Sequence, residues 1–391
     1  MKRAPTADIL WLFILTRIAL IVVTYFAYTL LHGPRPPQYI APPVSLLATA
    51  MSWKRWDAIH YVEIAQFGYR SPFDSAFFPL FPLLISICAH LVGNHGYLLF
   101  GMLISNLALL GALFTLYQLA SEALGDQVSR RTLLYLCIFP TAFFFFAAYN
   151  ESLFLLLVTG CFLALRRRRW WLAGLLGMLA SLTRSPGILL VLPFLWEAWI
   201  ARDNLGLLAE PAERSHWRAF LWRALPVVLI PVGTALYSLY CWHLFHSPFS
   251  FAAVQYRWSH RTVWPWEGIW KALVELFWLQ PVGSLFSVHL VLDLSATLGF
   301  IVLAVLGWRR LRFSYTLWMA ALLLLYLVEP SINQPDSLIS NQRFVLEMFP
   351  GFMTLAALAC EHRRLHQAIT LIFPPLLATL TIIFIMGLWM V

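Results

Sequence analysis

Charge is scarce in this chain. Only 12% of its 391 residues are Asp, Glu, Lys or Arg, about half the share usual in soluble globular chains. The five cysteines, Cys88, Cys137, Cys161, Cys241 and Cys360, are odd in number and show no CxxC spacing. That removes both a disulfide frame and a thiolate zinc site. No GxxxxGK[ST] run occurs, which argues against an ATP-driven pump. No DxD pair of the soluble nucleotide-sugar transferase kind is present. No His/Glu cluster has metal-ligand spacing, so no metal is assigned. No cofactor is called for either, and a divalent cation is compatible with the chain but not indicated by it. The net charge of +9 comes without a long basic tail or a nucleic-acid motif. Most basic residues sit in short clusters between apolar runs, so the reading is membrane anchoring and no nucleic-acid partner.

What is abundant is apolar surface. Hydrophobic residues make up 61% of the chain and aromatics 16%, with 18 Trp, and the mean hydropathy is +0.74. Lipid is the solvent these numbers suit. A spanning helix needs about 20 mostly apolar residues. Candidates run over 8–31, 98–120, 131–149, 150–165, 170–184, 186–201, 224–246, 284–307, 313–329, 345–360 and 367–390. The first run is too long for a signal-peptide core and is read as a retained helix. Basic residues set the orientation. Lys2, Arg3, Arg130, Arg131, Arg166 to Arg169, Arg202, Arg214, Arg218, Arg223, Arg309, Arg310, Arg312, Arg363 and Arg364 fall on one side, taken as cytoplasmic. The parity holds if the apolar stretch 77–93, which opens FFPLFPLL, is interfacial or re-entrant. The expectation is therefore an all-α integral membrane protein with about 11 transmembrane helices. It has one domain over 1–391, a first outer loop at 32–97 whose helices, 55–66 among them, lie on the outer membrane surface, and a cytoplasmic link at 202–223.

The outer side collects the residues that could do chemistry. In WKRWDAIHYVEIAQFGY, a helix over 55–66 puts Asp57, His60 and Tyr61 on one face. A carboxylate there suits general acid or base work, and Trp53 and Trp56 could stack on a sugar ring. The same segment also suits an amphipathic interfacial helix whose charges simply face water. Glu63 and Asp74 are rival carboxylates. In the turn YNESLF, Asn150 and Glu151 lie between two apolar runs. There a carboxylate is costly unless it meets water, protein or a ligand, although an ordinary helix cap would also account for both. TRSPG presents Arg184; VQYRWSHRTVWPW presents Gln255, Arg257, Trp258, His260 and Arg261; NQRFVLEMFP presents Arg343. Several guanidiniums on the side of Asp57 favour a phosphate site; lipid head-group anchoring is the plainer alternative for any one of them. Arg17, inside the first apolar run, could snorkel, pair with a buried acid or line a polar cavity.

Two blocks, WKRWDAIHYVEIAQFGY…AFFPLFPLL and FPTAFFFFAAYNESLFLLL…RRRRWWLAGLLGMLASLTRSPG, resemble the signatures of the GPI mannosyltransferase 2 (phosphatidylinositol-glycan class V) family and its bacterial relatives. VQYRWSHRTVWPW and NQRFVLEMFP are similar but weaker. The resemblance covers roughly 8–360. It implies the GT-C glycosyltransferase fold and an inverting transfer of a mannosyl or related hexosyl unit. The implied donor is a polyprenyl-phosphate sugar, and the implied acceptor is a hydroxyl of a glycan or glycolipid at the non-cytoplasmic face. Asp57 matches the essential first-loop carboxylate, with Arg and His groups stabilising the departing lipid phosphate. The compact loops point to a bacterial plasma-membrane relative rather than an endoplasmic-reticulum enzyme. A transporter or flippase of lipid-linked precursors is the alternative reading, and a non-catalytic subunit a third.

Overall fold

The computed structural model describes residues 5–32, 45–203, 213–258, 260–281 and 283–388. Among them every regular element is helical. Five helices are long and apolar enough to cross a bilayer: Thr6–Leu31, Tyr97–Leu124, Phe220–Phe245, Phe286–Gly307 and Arg363–Ile385. They coincide with the expected spans 8–31, 98–120, 224–246, 284–307 and 367–390. Their outward faces show Trp11, Ile18, Leu107, Leu239, Val305 and Leu371 to the surroundings. A continuous apolar exterior of this kind is unfavourable in water and neutral in lipid. The chain is an integral membrane protein.

Two expected spans differ from the helices found. The stretch 131–149 is α-helical only within Asp126–Ile138, with a short 3₁₀ helix at Ala142–Phe145. Phe139 turns to an extended ψ of 143°, because the following Pro140 disfavours helical backbone at the residue before it. The chain then packs Phe143, Phe144 and Phe145 into the core instead of continuing across. The stretch 345–360 is bent by 85° between Asn341–Glu347 and Phe349–Glu361, with Pro350 in the first turn of the second piece. If that pair counts as one span the total is six, so the helices do not display eleven full-length crossings. Other apolar helices, such as Trp170–Thr183 and Phe313–Val328, are shorter.

The prolines of FFPLFPLL start a helix, as their missing N–H groups allow. Leu80–Leu91 has 12 residues, about 18 Å of rise, well short of a hydrocarbon core of about 30 Å. Within the 202–223 link, 204–212 lie outside the described residues.

One hydrophobic core runs from Ile9 to Ile385. Small residues bring its helices close. A Cβ on Gly174 would meet the carbonyl of Pro226, and one on Gly233 would meet the carbonyl of Met178. This is the close backbone approach that membrane helices use in place of a hydrophobic driving force. Arg17 stays buried. It bonds Asn106 Oδ1 at 3.4 Å, and its guanidinium lies 5.8 Å from the rings of Phe13 and Phe146.

Helix ends sort the charges. Glu151 begins and Arg166 ends the Glu151–Arg166 helix. Arg184 follows the C-terminus of Trp170–Thr183, whose N-terminus follows Arg169. Phe349–Glu361 starts beside Glu347 and leads into Arg363 and Arg364. One end of the bundle thus carries Glu151, Arg184 and Glu347, and the other carries the basic clusters.

Candidate active site

Asp57 opens the Asp57–Phe67 helix. The helix was expected to lie on the surface. Instead its Ala58, Tyr61, Val62, Ile64 and Ala65 are buried in the core, because these apolar side chains have the long Tyr97–Leu124 helix and Leu80–Leu91 to pack against. Tyr61 meets Phe77, Phe81 and Tyr149 edge-on, and His60 stacks on Phe77 at 4.7 Å. Trp56, the residue before the helix, has φ 49° and ψ −122°. That backbone is unfavourable for a residue with a Cβ, costing roughly 1–3 kcal/mol. Trp53 is not open to a sugar: it is buried between Phe146 at 4.8 Å and Phe384 at 5.6 Å.

From Asp57 a chain of charges leads inward. Arg343 Nη1 donates to Asp57 Oδ2 at 2.7 Å, and Arg343 Nε donates to Glu151 Oε1 at 2.5 Å. Arg184 Nη1 donates to the same Glu151 oxygen at 2.7 Å and to Asn150 Oδ1 at 3.0 Å. Arg184 Nε lies 2.9 Å from Glu347 Oε1, and Tyr326 Oη donates to Glu347 Oε2 at 2.8 Å. Asn150 Nδ2 donates to Thr183 O, at the C-terminus of the Trp170–Thr183 helix, 2.8 Å away. The Arg343 guanidinium also lies over the rings of Tyr149 and Phe144, at 4.8 and 5.0 Å.

Three carboxylates therefore share two guanidiniums. Glu151 and Glu347 are 1% exposed, but the Asp57 side chain is 28% exposed. Asp57 Oδ1 has no hydrogen-bond partner among the described residues. One acid of the network thus faces outward with an oxygen to spare.

The structure brings Asp57, Tyr61, Asn150, Glu151, Arg184 and Arg343 together. Gln255, Arg257 and Arg261 are placed by other contacts. Gln255 Nε2 donates to Phe251 O. Arg257 lies over the Phe73 ring at 5.7 Å, and Phe73 in turn meets His60 edge-on at 5.4 Å. Arg261 is exposed, its backbone N–H held by Pro330 O. The side chain of Trp258 lies outside the described residues. Asp74 is taken up by a turn, accepting from the N–H groups of Arg70 and Ser71 at 2.8 Å, and Glu63 is exposed. Sequence reasoning missed Glu347 and Tyr326. Glu347 stands four residues after Arg343 inside an apolar stretch, the same signal that singled out Glu151.

The chain resembles ArnT from Cupriavidus metallidurans, solved bound to undecaprenyl phosphate, in its fold. The TM-score is 0.54 at 13% identity, over 94% of this chain and 63% of that one. Among curated proteins it is similar to GPI alpha-1,6-mannosyltransferase 2 of Mus musculus, 34% identical over 209 residues. GPI mannosyltransferase 2 of Schizosaccharomyces pombe is 29% identical over 168 residues. The matched parts are 50% and 42% of this chain, and only 41% and 34% of those proteins. A family model described as Mannosyltransferase (PIG-V) matches residues 8–377. That stretch includes Asp57, Glu151, Arg184, Arg343 and Glu347, and the chain belongs to the PIG-V mannosyltransferase family.

Proposed function

We propose that this chain is an inverting glycosyltransferase. It moves a mannosyl or related hexosyl unit from a polyprenyl-phosphate donor to an acceptor hydroxyl of a glycan or glycolipid, at the non-cytoplasmic face, with Asp57 as base. The observation that carries the reading is Asp57 itself, a carboxylate with a 28% exposed side chain, one oxygen fixed by Arg343 and the other accepting no hydrogen bond among the described residues. Oδ1 takes the proton of the acceptor hydroxyl as that oxygen attacks the anomeric carbon. The bond from that carbon to the phosphate oxygen breaks, and its electron pair leaves with the lipid phosphate. Family membership supports the sugar chemistry, and the fold shared with ArnT, which was solved with undecaprenyl phosphate, supports the carrier class. The basic clusters at the opposite helix ends support the face, by the positive-inside rule.

Negative charge grows on the departing phosphate, so cations near it lower the barrier. Arg184 and Arg343 are committed to Glu151, Glu347 and Asp57. Arg257, which lies against Phe73, His60 of the Asp57–Phe67 helix and the exposed Arg261 are the groups assigned to that task.

The test is transfer of radiolabelled mannose from polyprenyl-phosphate-mannose in reconstituted vesicles, wild type beside Asp57→Asn. A positioned base contributes about 10²- to 10⁴-fold, and a loss of that size in the folded variant is expected. Equal transfer by both proteins would move the base elsewhere. No transfer by a folded wild type would count against the donor class.

A further inference from the structure

The N-terminus of the Asp57–Phe67 helix has a feature that the base chemistry alone does not require. Its N-cap, Trp56, offers no side-chain cap, so the N–H of Asp57 is one of the helix's orphan donors. The Tyr149 hydroxyl accepts it at 3.2 Å. The same hydroxyl donates to Arg55 O at 3.3 Å. One oxygen thus joins the residues on either side of Trp56, whose φ of 49° makes it, with Ser340, one of the non-glycine residues of positive φ among the described residues.

Tyr149 is itself held. It is 1% exposed, and its carbonyl accepts from Ser105 Oγ at 2.6 Å. Arg55 is anchored from the far side by the end of the last helix, donating from Nη2 to Ile385 O at 3.2 Å. The Tyr149 ring lies under Arg343, the partner of Asp57 Oδ2. Its hydroxyl therefore sets the backbone of Asp57 while its ring face sets the cation that orients the Asp57 carboxylate.

We propose that Tyr149 is a positioning residue for Asp57, its hydroxyl clamping the strained Trp56 turn so that the carboxylate points at the acceptor. This rests on the reading of Asp57 as base. Strained backbone persists only where its surroundings over-determine it, and it clusters at functional sites. The clamp supplies that determination from a second chain segment.

Tyr149→Phe keeps the ring and its contact with Arg343 and removes only the bridge. It is expected to lower kcat for mannosyl transfer about ten- to a hundredfold, the scale of a small misplacement of a reacting group. KM for the donor stays unchanged, as when an interaction made only in the transition state is lost. Tyr135→Phe is the control. Tyr135 is equally buried and loses an equivalent hydroxyl contact, to His366 Nδ1 at 2.8 Å, at the other end of the bundle. It is expected to transfer at the wild-type rate. Hydrogen exchange over 53–61 gives a readout independent of turnover, and faster exchange there in Tyr149→Phe is expected. Unchanged exchange, or faster exchange with unchanged kcat, would overturn the clamp. An equal fall in kcat for Tyr135→Phe would do the same, since a general loss of stability then explains both. A wild type that transfers nothing, with exchange over 53–61 still quickened by Tyr149→Phe, would sink the reading of the site and not the clamp.

Discussion

Replacing Arg343 by Gln is expected to unbalance the buried network more than neutralising any one of its acids. Arg184 alone would then face Asp57, Glu151 and Glu347. Asp57 is 28% exposed and reaches water, so its loss of a partner counts for little. Glu151 is 1% exposed and loses one of its two cations. Breaking a buried pair from one side costs roughly 3–5 kcal/mol. Since Glu151 keeps Arg184, the lower end of that range applies. Adding Glu151→Gln removes the under-paired charge and leaves Arg184 with Glu347 as one balanced buried pair. The double variant is expected to be more stable than the sum of the two single losses by about 2 kcal/mol, within the coupling usual for neighbours in one network. Reversible unfolding in mixed detergent micelles, followed by tryptophan fluorescence, measures all four corners of the cycle. Strictly additive losses would refute the charge-balance argument, as would a double variant less stable than Arg343→Gln alone.

Two further changes probe the scaffold. Asp336 is 3% exposed beside Asp293, and burial pushes its pKa up to about 6 from the ordinary 3.8, against the pull of the Leu338 N–H. The folded protein therefore holds this proton more tightly than the unfolded chain does. The stability it confers is complete below about pH 4 and lost as the pH rises through about 6. Asp336→Asn is thus expected to stabilise at pH 7 by about 3 kcal/mol and to gain nothing at pH 4; a gain that does not depend on pH would contradict this. Gly233→Val drives a side chain into the Met178 carbonyl and is expected to lower stability by about 1–3 kcal/mol, read in the same micelle unfolding assay.

How much of this was legible in the sequence depended on whether a residue's cost was local. A carboxylate between apolar runs is expensive wherever the chain goes, so Glu151 is legible locally, while Asp57 is legible from its helix-face spacing and Arg184 and Arg343 from their place on the outer side. Glu347, inside an apolar stretch, is open to the same argument as Glu151. The span over 131–149 failed for the opposite reason. Its composition is that of a lipid-facing helix, and only Pro140 marks the point where the chain turns into the core. Trp53 and Trp56 are three residues apart and look alike in sequence, yet the turn between them sends Trp53 into the core. Tyr149 and Tyr326 were beyond reach. With 14 tyrosines in the chain, nothing local tells which hydroxyl will land beside a strained turn or a buried acid.

The location of the chemistry follows from counting charges where the dielectric is low. Two guanidiniums can neutralise two of the three acids, and a third that stayed ionised without a partner would be costly to bury. The surplus belongs to the acid with access to water, and that acid is Asp57. An exposed carboxylate backed by a fixed cation is what a base acting on an incoming hydroxyl requires. On the proposed reading, a cluster with one surplus negative charge repels the anionic donor phosphate, so its recognition falls to cations outside the network, among them Arg257, which is exposed and placed against Phe73 and through it against His60.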